Sequence, residues 1–428
     1  MRTWKSSELP PDWFKRQTLD KQATLQVENS VKTIIREVIE NGDSALIELT
    51  EKFDKARLEA KDLQVVPKEI EEAYEVVSKA QIDALKFMKD KVSAFEKLVL
   101  KQAGFKTSSK GISIRNALRP IASVGCYVPG GQAAYPSTVV MTAVPAKVVG
   151  VPRIVVCSPP NREGKVNPLV LVAADICGVN EIYKVGGAQA IAALAYGTET
   201  LKPVNKIVGP GSKYVTAAKV LVSKDVAIDM PAGPSEVLVL ADETANPQFI
   251  AFDMISQAEH GADSVAGLIT TSEKLAEEVQ VWLAKAVAGA ERGELVAKSL
   301  QHYGFIITCK DLAEAVELAN VFSSEHLEIM TWNAEKIAEQ ITSAGLILVG
   351  SYTPVALSDY ASGTNHVLPT GGFGYAFSGL STLDFARRVS VVESSKEGLQ
   401  SIRNRVKVMT DAENLPNHYK AVEARLQK

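Results

Sequence analysis

Ten short β-rich runs, many of them closed by glycine or proline, constrain the fold of this chain more than any other feature. Five follow residue 120, and five more follow residue 234: "ASVGCYVPGG", "RIVVCSPP", "EIYKVGG", "NKIVGPG", "VAIDMPAG", then "SEVLVLAD", "SVAGLITT", "YGFIITC", "HLEIMT" and "GLILVG". Helical patterns such as "NPLVLVAADICG" and "AQAIAALAYG" separate them. Strands that alternate with short helices form βαβ units around a parallel sheet. The pattern predicts an α/β protein with two doubly wound parallel-sheet domains, each an incomplete Rossmann-like unit.

Helical extensions are predicted at both ends of the chain. Apolar residues recur at spacings of three and four over residues 19–104, with a break at Asn41-Gly42, and the last 45 or so residues are helical again. The predicted division is an N-terminal extension 1–25, a first α/β domain 26–125 plus 236–380, a second α/β domain 126–235, and a C-terminal helical tail 381–428.

Composition excludes several classes of protein. The 428 residues exceed the usual size of one domain, and the net charge of −3 argues against a general nucleic-acid binder. The polar N-terminus predicts no signal peptide, and the lack of an apolar run of about 18 residues predicts no membrane span. The four cysteines form no C-x-x-C pair and lie in apolar contexts, which favours buried reduced thiols and a cytoplasmic protein.

The glycine-rich strand exits are the expected ligand-binding positions, because open parallel sheets bind ligands beyond the carboxyl ends of their strands. The dinucleotide fingerprint G-x-G-x-x-G is absent. "VGGAQA" and "VGPGSK" each place a glycine turn before a helix, where backbone N–H groups could hold an anion. Either stretch could equally be a simple turn.

Four of the five histidines stand near acids or amides: His260, His326, His366 and His418. His260 follows Gln257 by three residues, so on a helix the two share a face. From this spacing alone His260 could be a metal ligand, a catalytic base or a helix-end residue. If the sites converge, the side chains form a mixed N/O metal set that leaves room for substrate, made of Gln257, His260, Asp359 and His418. Glu325-His326 would remain as an acid/base pair, provided that it lies at the start of a strand or in a turn.

Eight ordered segments make the chain resemble the histidinol dehydrogenase family. They are "VGCYVPGGQAAYPSTVVMTAVPAK", "VGGAQAIAALAYGTE", "IDMPAGPSEVLVLAD", "SQAEHGADS", "SSEHLEI", "SDYASGTNHVLPTGG", "FSGLSTLDFARRVSV" and "ENLPNH". The resemblance runs from about Asn41 to the C-terminus. It implies the oxidation of L-histidinol to L-histidine through the aldehyde, with two NAD⁺, as the last step of histidine biosynthesis.

The resemblance also implies roles for individual residues. One zinc ion per subunit is held by residues matching Gln257, His260, Asp359 and His418, and it positions the substrate. Glu325 and His326 match the catalytic pair, and His326 also contacts substrate. The other substrate-contacting positions are Ser235, His366 and Glu413, and the NAD contacts are Tyr127 and Gln189. The family is a homodimer with swapped tails, in which residues matching Glu413 and His418 reach the site of the other subunit.

Three departures from the family pattern bear on ligand choice. Ser212 stands in "GPGS" where the family usually has asparagine, an expected NAD contact. The stretch "SAFEK" lacks a histidine that the family often has, and the loop "GGFGYAFSGL" differs from the common version.

Three alternative functions remain open at the level of sequence. A related zinc- and NAD-dependent dehydrogenase could oxidise another polar alcohol, such as a sulfonated diol. A zinc hydrolase could use Glu325 as base without NAD. A non-catalytic binding protein of two α/β lobes is the third, and the Glu-His pair counts against it.

Overall fold

The computed structural model describes residues 1–10, 13, 21–130, 134–230 and 233–427, without the side chains of residues 21–24. Parts of two family segments, 131–133 and 231–232, lie outside the described residues. The described strands are β1 (Arg2–Lys5), β2 (Phe105–Ser109), β3 (Ile112–Pro120), β4 (Ser123–Tyr127), β5 (Arg153–Cys157), β6 (Glu181–Tyr183), β7 (Lys206–Val208), β8 (Ala227–Ile228), β9 (Glu236–Ala241), β10 (Val265–Thr270), β11 (Phe305–Thr308), β12 (His326–Met330), β13 (Leu346–Val349) and β14 (Ala386–Ser394). The described α-helices are α1 (Lys21–Asp54), α2 (Pro67–Val76), α3 (Lys79–Ala103), α4 (Pro136–Val149), α5 (Pro168–Ile176), α6 (Gly187–Tyr196), α7 (Lys213–Val222), α8 (Pro247–Ala258), α9 (Glu273–Gly289), α10 (Gly293–Tyr303), α11 (Leu312–Phe322), α12 (Ala334–Ala338), α13 (Val355–Tyr360), α14 (Lys396–Ala412) and α15 (Pro416–Leu426).

The first five predicted runs form one parallel sheet, with the strand order β6-β5-β4-β7-β8. β4 is central, and its residues are buried on both faces. The chain builds outward from β4 to β6 on one side, then returns to place β7 and β8 on the other. Strand order therefore reverses between β4 and β7, which is the crevice where doubly wound sheets bind ligands.

The second five runs form a parallel sheet with the order β1-β11-β10-β9-β12-β13. Both predicted sheets are thus confirmed. The predicted N-terminal extension is not wholly separate from them, because β1 adds to the edge of this sheet beside β11. The strand was missed because "RTWK" is too short and polar to show a strand period.

A third sheet was not predicted. β14, β3 and β2 form a three-stranded antiparallel sheet in that order. The tail 381–428 is therefore not helical throughout: a short 3₁₀ helix, Thr382–Phe385, leads into β14, and α14 and α15 follow. β14 is exposed along most of its length, so it lacks the apolar alternation that reveals a half-buried strand.

The N-terminal helices pack on the five-stranded sheet. Val31, Ile34 and Val38 of α1 share a core with α6 and α7, while α2 and α3 pack on α5 and α4. The apolar faces of these helices therefore meet helices of the five-stranded unit, whereas the prediction joins residues 26–125 to 236–380. The division into 26–125 plus 236–380 and 126–235 stays a prediction. Gly42 kinks α1 with a φ of 51°, as the Asn41-Gly42 break predicts.

The four cysteines are free and buried, as predicted. Burial raises the pKa of Cys126 to about 12, so its thiol stays protonated and unreactive near neutral pH.

Candidate active site

The first cluster of predicted site residues lies where β9 and β12 begin. Ser235 directly precedes β9, and Glu325 directly precedes β12, whose first residue is His326. In the sheet His326 pairs with Val237, so the two strand starts lie side by side. The Glu-His pair therefore lies at the start of a strand, which is the position that the sequence requires for both side chains to act. This cluster is at the amino edge of its sheet, whereas the strand-exit rule predicts the carboxyl edge.

Glu325 is buried against a second carboxylate, Glu236, which the sequence analysis did not single out. The N–H of Glu236 donates to Glu325 Oε2 at 2.8 Å, and the N–H of Glu325 donates to Glu236 Oε2 at 3.3 Å. Glu236 Oε1 also accepts from the N–H of Gly371 at 3.0 Å. Burial raises the pKa of Glu325 well above its usual range; the bond from the Glu236 backbone opposes this, and the charge of Glu236 adds to it. A glutamate at the head of the apolar run "VLVLA" was the only available sequence signal for Glu236.

The imidazole of His326 is held at one nitrogen and open at the other. Nδ1 lies 3.2 Å from the carbonyl oxygen of Glu236, which can only accept, so Nδ1 carries the proton of the neutral ring. Nε2 is buried without a hydrogen-bond partner among the described residues and lies 3.9 Å from Asp359 Oδ1. Burial lowers the pKa of His326 to about 4; the bond to the Glu236 backbone opposes this, and the nearby imidazoles of His366 and His260 add to it. The ring is neutral near pH 7, and Nε2 is free to accept a proton.

Asp359 and His366 complete the buried part of the cluster. Asp359 lies on α13, and its Oδ1 is 3.9 Å from Nδ1 of His366. This oxygen has no hydrogen-bond partner among the described residues. Burial raises the pKa of Asp359 to about 7 and lowers the pKa of His366 to about 4. A buried carboxylate oxygen without a donor is costly, and a cation would satisfy it.

Gln257 and His260 come from the end of α8. Gln257 is buried in the last turn, and the N–H of His260 donates to the Gln257 carbonyl at 3.2 Å. The side chain of His260 is exposed beside a cavity of about 460 Å³, which Tyr135 and Tyr360 also line. The cavity is therefore lined both by the segment between β4 and α4 and by the end of α8.

One chain supplies only part of the predicted metal set. Gln257, His260 and Asp359 offer amide, imidazole and carboxylate ligands, and the unpartnered Asp359 Oδ1 fits a cation. The described residues contain no group of three or more His, Cys, Asp or Glu that could hold a metal ion. His418 and Glu413 are exposed in the tail, where α15 packs mainly on α14. The structure therefore brings Glu325, His326, Asp359 and His366 together. Ser235, Gln257 and His260 lie in or next to the neighbouring elements β9 and α8, whereas Glu413 and His418 lie in the tail.

Tyr127 and Gln189 meet at the carboxyl edge of the five-stranded sheet. Tyr127 ends β4, and the N–H of Gly187 at the start of α6 donates to its hydroxyl oxygen at 3.1 Å. Gln189 is 1% exposed, yet neither atom of its amide has a partner among the described residues. Buried amides nearly always have partners, and the N–H groups of a helix start attract anions. This edge therefore carries groups suited to a polar, anionic ligand.

Ser212 lies at the same edge, as the N-cap residue of α7. Its side chain is exposed and makes no capping hydrogen bond. The hydroxyl is shorter than the amide of the asparagine that the family usually has, and offers one donor instead of two.

The sequence and the fold both match proteins of one known family. The family model described as histidinol dehydrogenase matches residues 16–426. The chain belongs to the histidinol dehydrogenase family. The resemblance found in the sequence is thus confirmed, and with it the assignment to a family of oxidoreductases.

Relatives and a solved structure agree over nearly the full length. Histidinol dehydrogenase of Methanothermobacter thermautotrophicus is 44% identical over 97% of this chain and 98% of its own. That of Methanocaldococcus jannaschii is 46% identical over 93% of this chain and 92% of its own. The crystal structure of histidinol dehydrogenase from Elizabethkingia anophelis is similar with a TM-score of 0.91 at 37% identity, covering 100% of this chain and 98% of that chain. None of the helices among the described residues combines the length and apolar character that crossing a bilayer requires.

Proposed function

We propose that this chain catalyses the NAD-dependent, four-electron oxidation of L-histidinol to L-histidine through L-histidinaldehyde, the last step of histidine biosynthesis. Membership of the histidinol dehydrogenase family supports the reaction. The observation that carries the proposal is His326, a neutral buried imidazole with an open Nε2, placed beside Glu325.

His326 and Glu325 divide the proton transfers. In the first oxidation His326 Nε2 takes the hydroxyl proton of the alcohol as a hydride leaves its carbon. Water then adds to the aldehyde: Glu325 accepts a proton from the water, and His326 gives the proton it has taken to the aldehyde oxygen, which forms the hydrate and leaves His326 neutral again. In the second oxidation His326 takes the hydroxyl proton of the hydrate as the second hydride leaves, giving the acid. NAD⁺ is the hydride acceptor in both oxidations.

Gln257, His260, Asp359 and His418 are the proposed zinc ligands. When bound, the zinc ion would hold the imidazole and amino nitrogens of the substrate, which orients the alcohol carbon. Ser235, His366 and Glu413 are proposed to contact the substrate. Because His418 and Glu413 lie in an exposed tail, the proposal includes a homodimer in which the tail of each copy completes the site of the other.

The five-stranded sheet is the proposed NAD-binding unit, with Tyr127 and Gln189 as contacts. The unpartnered amide of Gln189 and the start of α6 support this placement. We place the enzyme in the cytoplasm, since it carries out a biosynthetic reaction and its cysteines are free and buried.

The assay uses purified protein, L-histidinol and NAD⁺, with NADH followed by its absorbance, before and after treatment with a chelator. We expect about two NADH per histidinol and loss of turnover after chelation, with recovery on adding zinc. NADH from another polar alcohol but none from histidinol would contradict the substrate. No NADH from any alcohol would contradict the reaction class.

A further inference from the structure

The exit of β7 forms one wall of the crevice where strand order reverses in the five-stranded sheet. β4 ends at Tyr127 and β7 ends at Val208, and the two strands are neighbours. Gly209 follows β7 directly, so it lies at the reversal point. Its position therefore affects the shape of any ligand site in this crevice.

A buried ion pair holds both polar groups of the Gly209 backbone. Lys219 Nζ on α7 donates to the Gly209 carbonyl oxygen at 2.9 Å. Asp229 Oδ2, just after β8, accepts from the Gly209 N–H at 2.8 Å. The two side chains also form an ion pair with each other and are 3% and 0% exposed. The pair thus holds the backbone of one residue through both peptide groups that flank its Cα.

These bonds hold Gly209 close to Tyr127. Its φ is 116°, a conformation that favours glycine, and a Cβ at this position would overlap the Tyr127 carbonyl oxygen. Tyr127 in turn accepts the N–H of Gly187 at the start of α6. A continuous series of contacts therefore links the ion pair to Gly209, Gly209 to Tyr127, and Tyr127 to Gly187, two residues before Gln189.

We infer that Lys219 and Asp229 are positioning residues for the dinucleotide, which hold the β7 exit against Tyr127 so that the crevice between β4 and β7 keeps the shape that NAD needs. The inference rests on the proposed NAD-dependent function. A buried ion pair adds little net stability, because desolvation of the two charges offsets their attraction, whereas it can specify one local geometry. The loop after β7 lies at the point where strand order reverses, so fixing the geometry of this loop also fixes the shape of the ligand site.

The test is a charge-free double variant, Lys219→Met with Asp229→Asn, which removes the pair without leaving a buried charge uncompensated. NADH binding is measured by fluorescence titration of the zinc-loaded enzyme, together with KM for NAD⁺, KM for histidinol and kcat. We expect NADH to bind about tenfold more weakly or worse, with a matching rise in KM for NAD⁺. Histidinol binding should stay near wild type, which a general loss of structure would not allow.

The matched control is Lys206→Met with Asp384→Asn. Lys206 starts β7 and pairs with Asp384 at 3.3 Å, so this variant removes an ion pair from the opposite end of the same strand. Its NADH affinity should stay near wild type. If the first variant does not fold, Lys219→Arg, which keeps the charge with a larger head group, is tested by the same criterion.

Unchanged NADH affinity in a folded Lys219 variant would overturn the inference, as would an equal loss in the control. In both cases a wild type that reduces NAD⁺ with histidinol leaves the proposed function standing. A wild type that neither binds NADH nor reduces NAD⁺ would overturn both.

Discussion

The five histidines of this chain differ in surroundings more than in sequence context. His326 is buried and the side chain of His366 is 15% exposed, and burial lowers the pKa of each to about 4. His302 is exposed on α10, where its Nδ1 lies 2.8 Å from the Lys298 carbonyl oxygen. Of the five histidines, only His326 is buried, has a fixed tautomer and lies beside a buried carboxylate, that of Glu325. These properties single it out as the base.

The first prediction concerns His326 and Glu325. His326→Ala and Glu325→Ala should each lower kcat by roughly 10² to 10⁴, the usual contribution of a general base or acid. Zinc content, measured by atomic absorption, should remain near wild type because neither residue is a proposed ligand. His302→Ala is the control and should leave both quantities unchanged. An emptied metal site in His326→Ala would show that the division of roles is wrong.

At the level of elements, a buried acid, Glu96, lies where α3 packs against the short 3₁₀ helix Thr382–Phe385. Glu96 Oε2 accepts from the N–H of Thr382 at 2.7 Å, while Oε1 has no hydrogen-bond partner among the described residues. Burial raises the pKa of Glu96 to about 7; the Thr382 bond opposes this, and the charge of Asp384 adds to it. The folded protein therefore holds the proton of the Glu96 carboxyl more tightly than the unfolded chain does.

The second prediction follows from this pKa. A carboxyl whose folded pKa is raised contributes its full stability below its ordinary value of 4.5 and loses it as the pH rises through about 7. Glu96→Gln carries no charge and should escape this loss. Relative to wild type, its free energy of unfolding should rise by about 2 to 3 kcal/mol between about pH 5 and pH 8.

Denaturant unfolding at several pH values measures this difference, with the exposed α2 variant Glu71→Gln as the control. A difference that stays flat with pH for Glu96→Gln, or that changes equally for Glu71→Gln, would show that Glu96 is not the titrating group.

At the level of the whole molecule, the tail separates two proposed site residues from the rest. Glu413 and His418 are exposed, and their helices pack on each other and on β14. The remaining site residues of this cluster lie around β9, β12, α8 and α13. An exposed end of the tail that carries two proposed site residues is available to a second copy of the chain.

The third prediction tests this arrangement by mixing two inactive proteins, His326→Ala and His418→Ala. In a hybrid dimer, one of the two sites has both histidines intact. Random exchange at equal amounts should restore about a quarter of the wild-type activity, since half of the dimers are hybrids. Exchange is verified by mass spectrometry of tagged subunits. No recovery despite exchange would mean that each site is built within one chain.

The local sequence pattern determined the strands and helices whose own residues show an apolar run or an apolar periodicity. The ten runs became the strands of two parallel sheets, and the apolar periodicity of residues 19–104 became α1 to α3. These features depend on neighbours within a few residues of each other, so the sequence alone reveals them. The exposed, weakly patterned β1 and β14 carry no such signal.

Long-range packing decided the rest. The resemblance of the motifs identified Glu325, His326 and Asp359. It did not show the open Nε2 of His326, the unpartnered Oδ1 of Asp359 or the bonds of Glu236, because these exist only where distant segments meet. The same holds for the ion pair of Lys219 with Asp229 on Gly209. Whether a polar atom is buried, paired or free depends on atoms that lie tens or hundreds of residues away in the chain, and only the tertiary structure brings those atoms together.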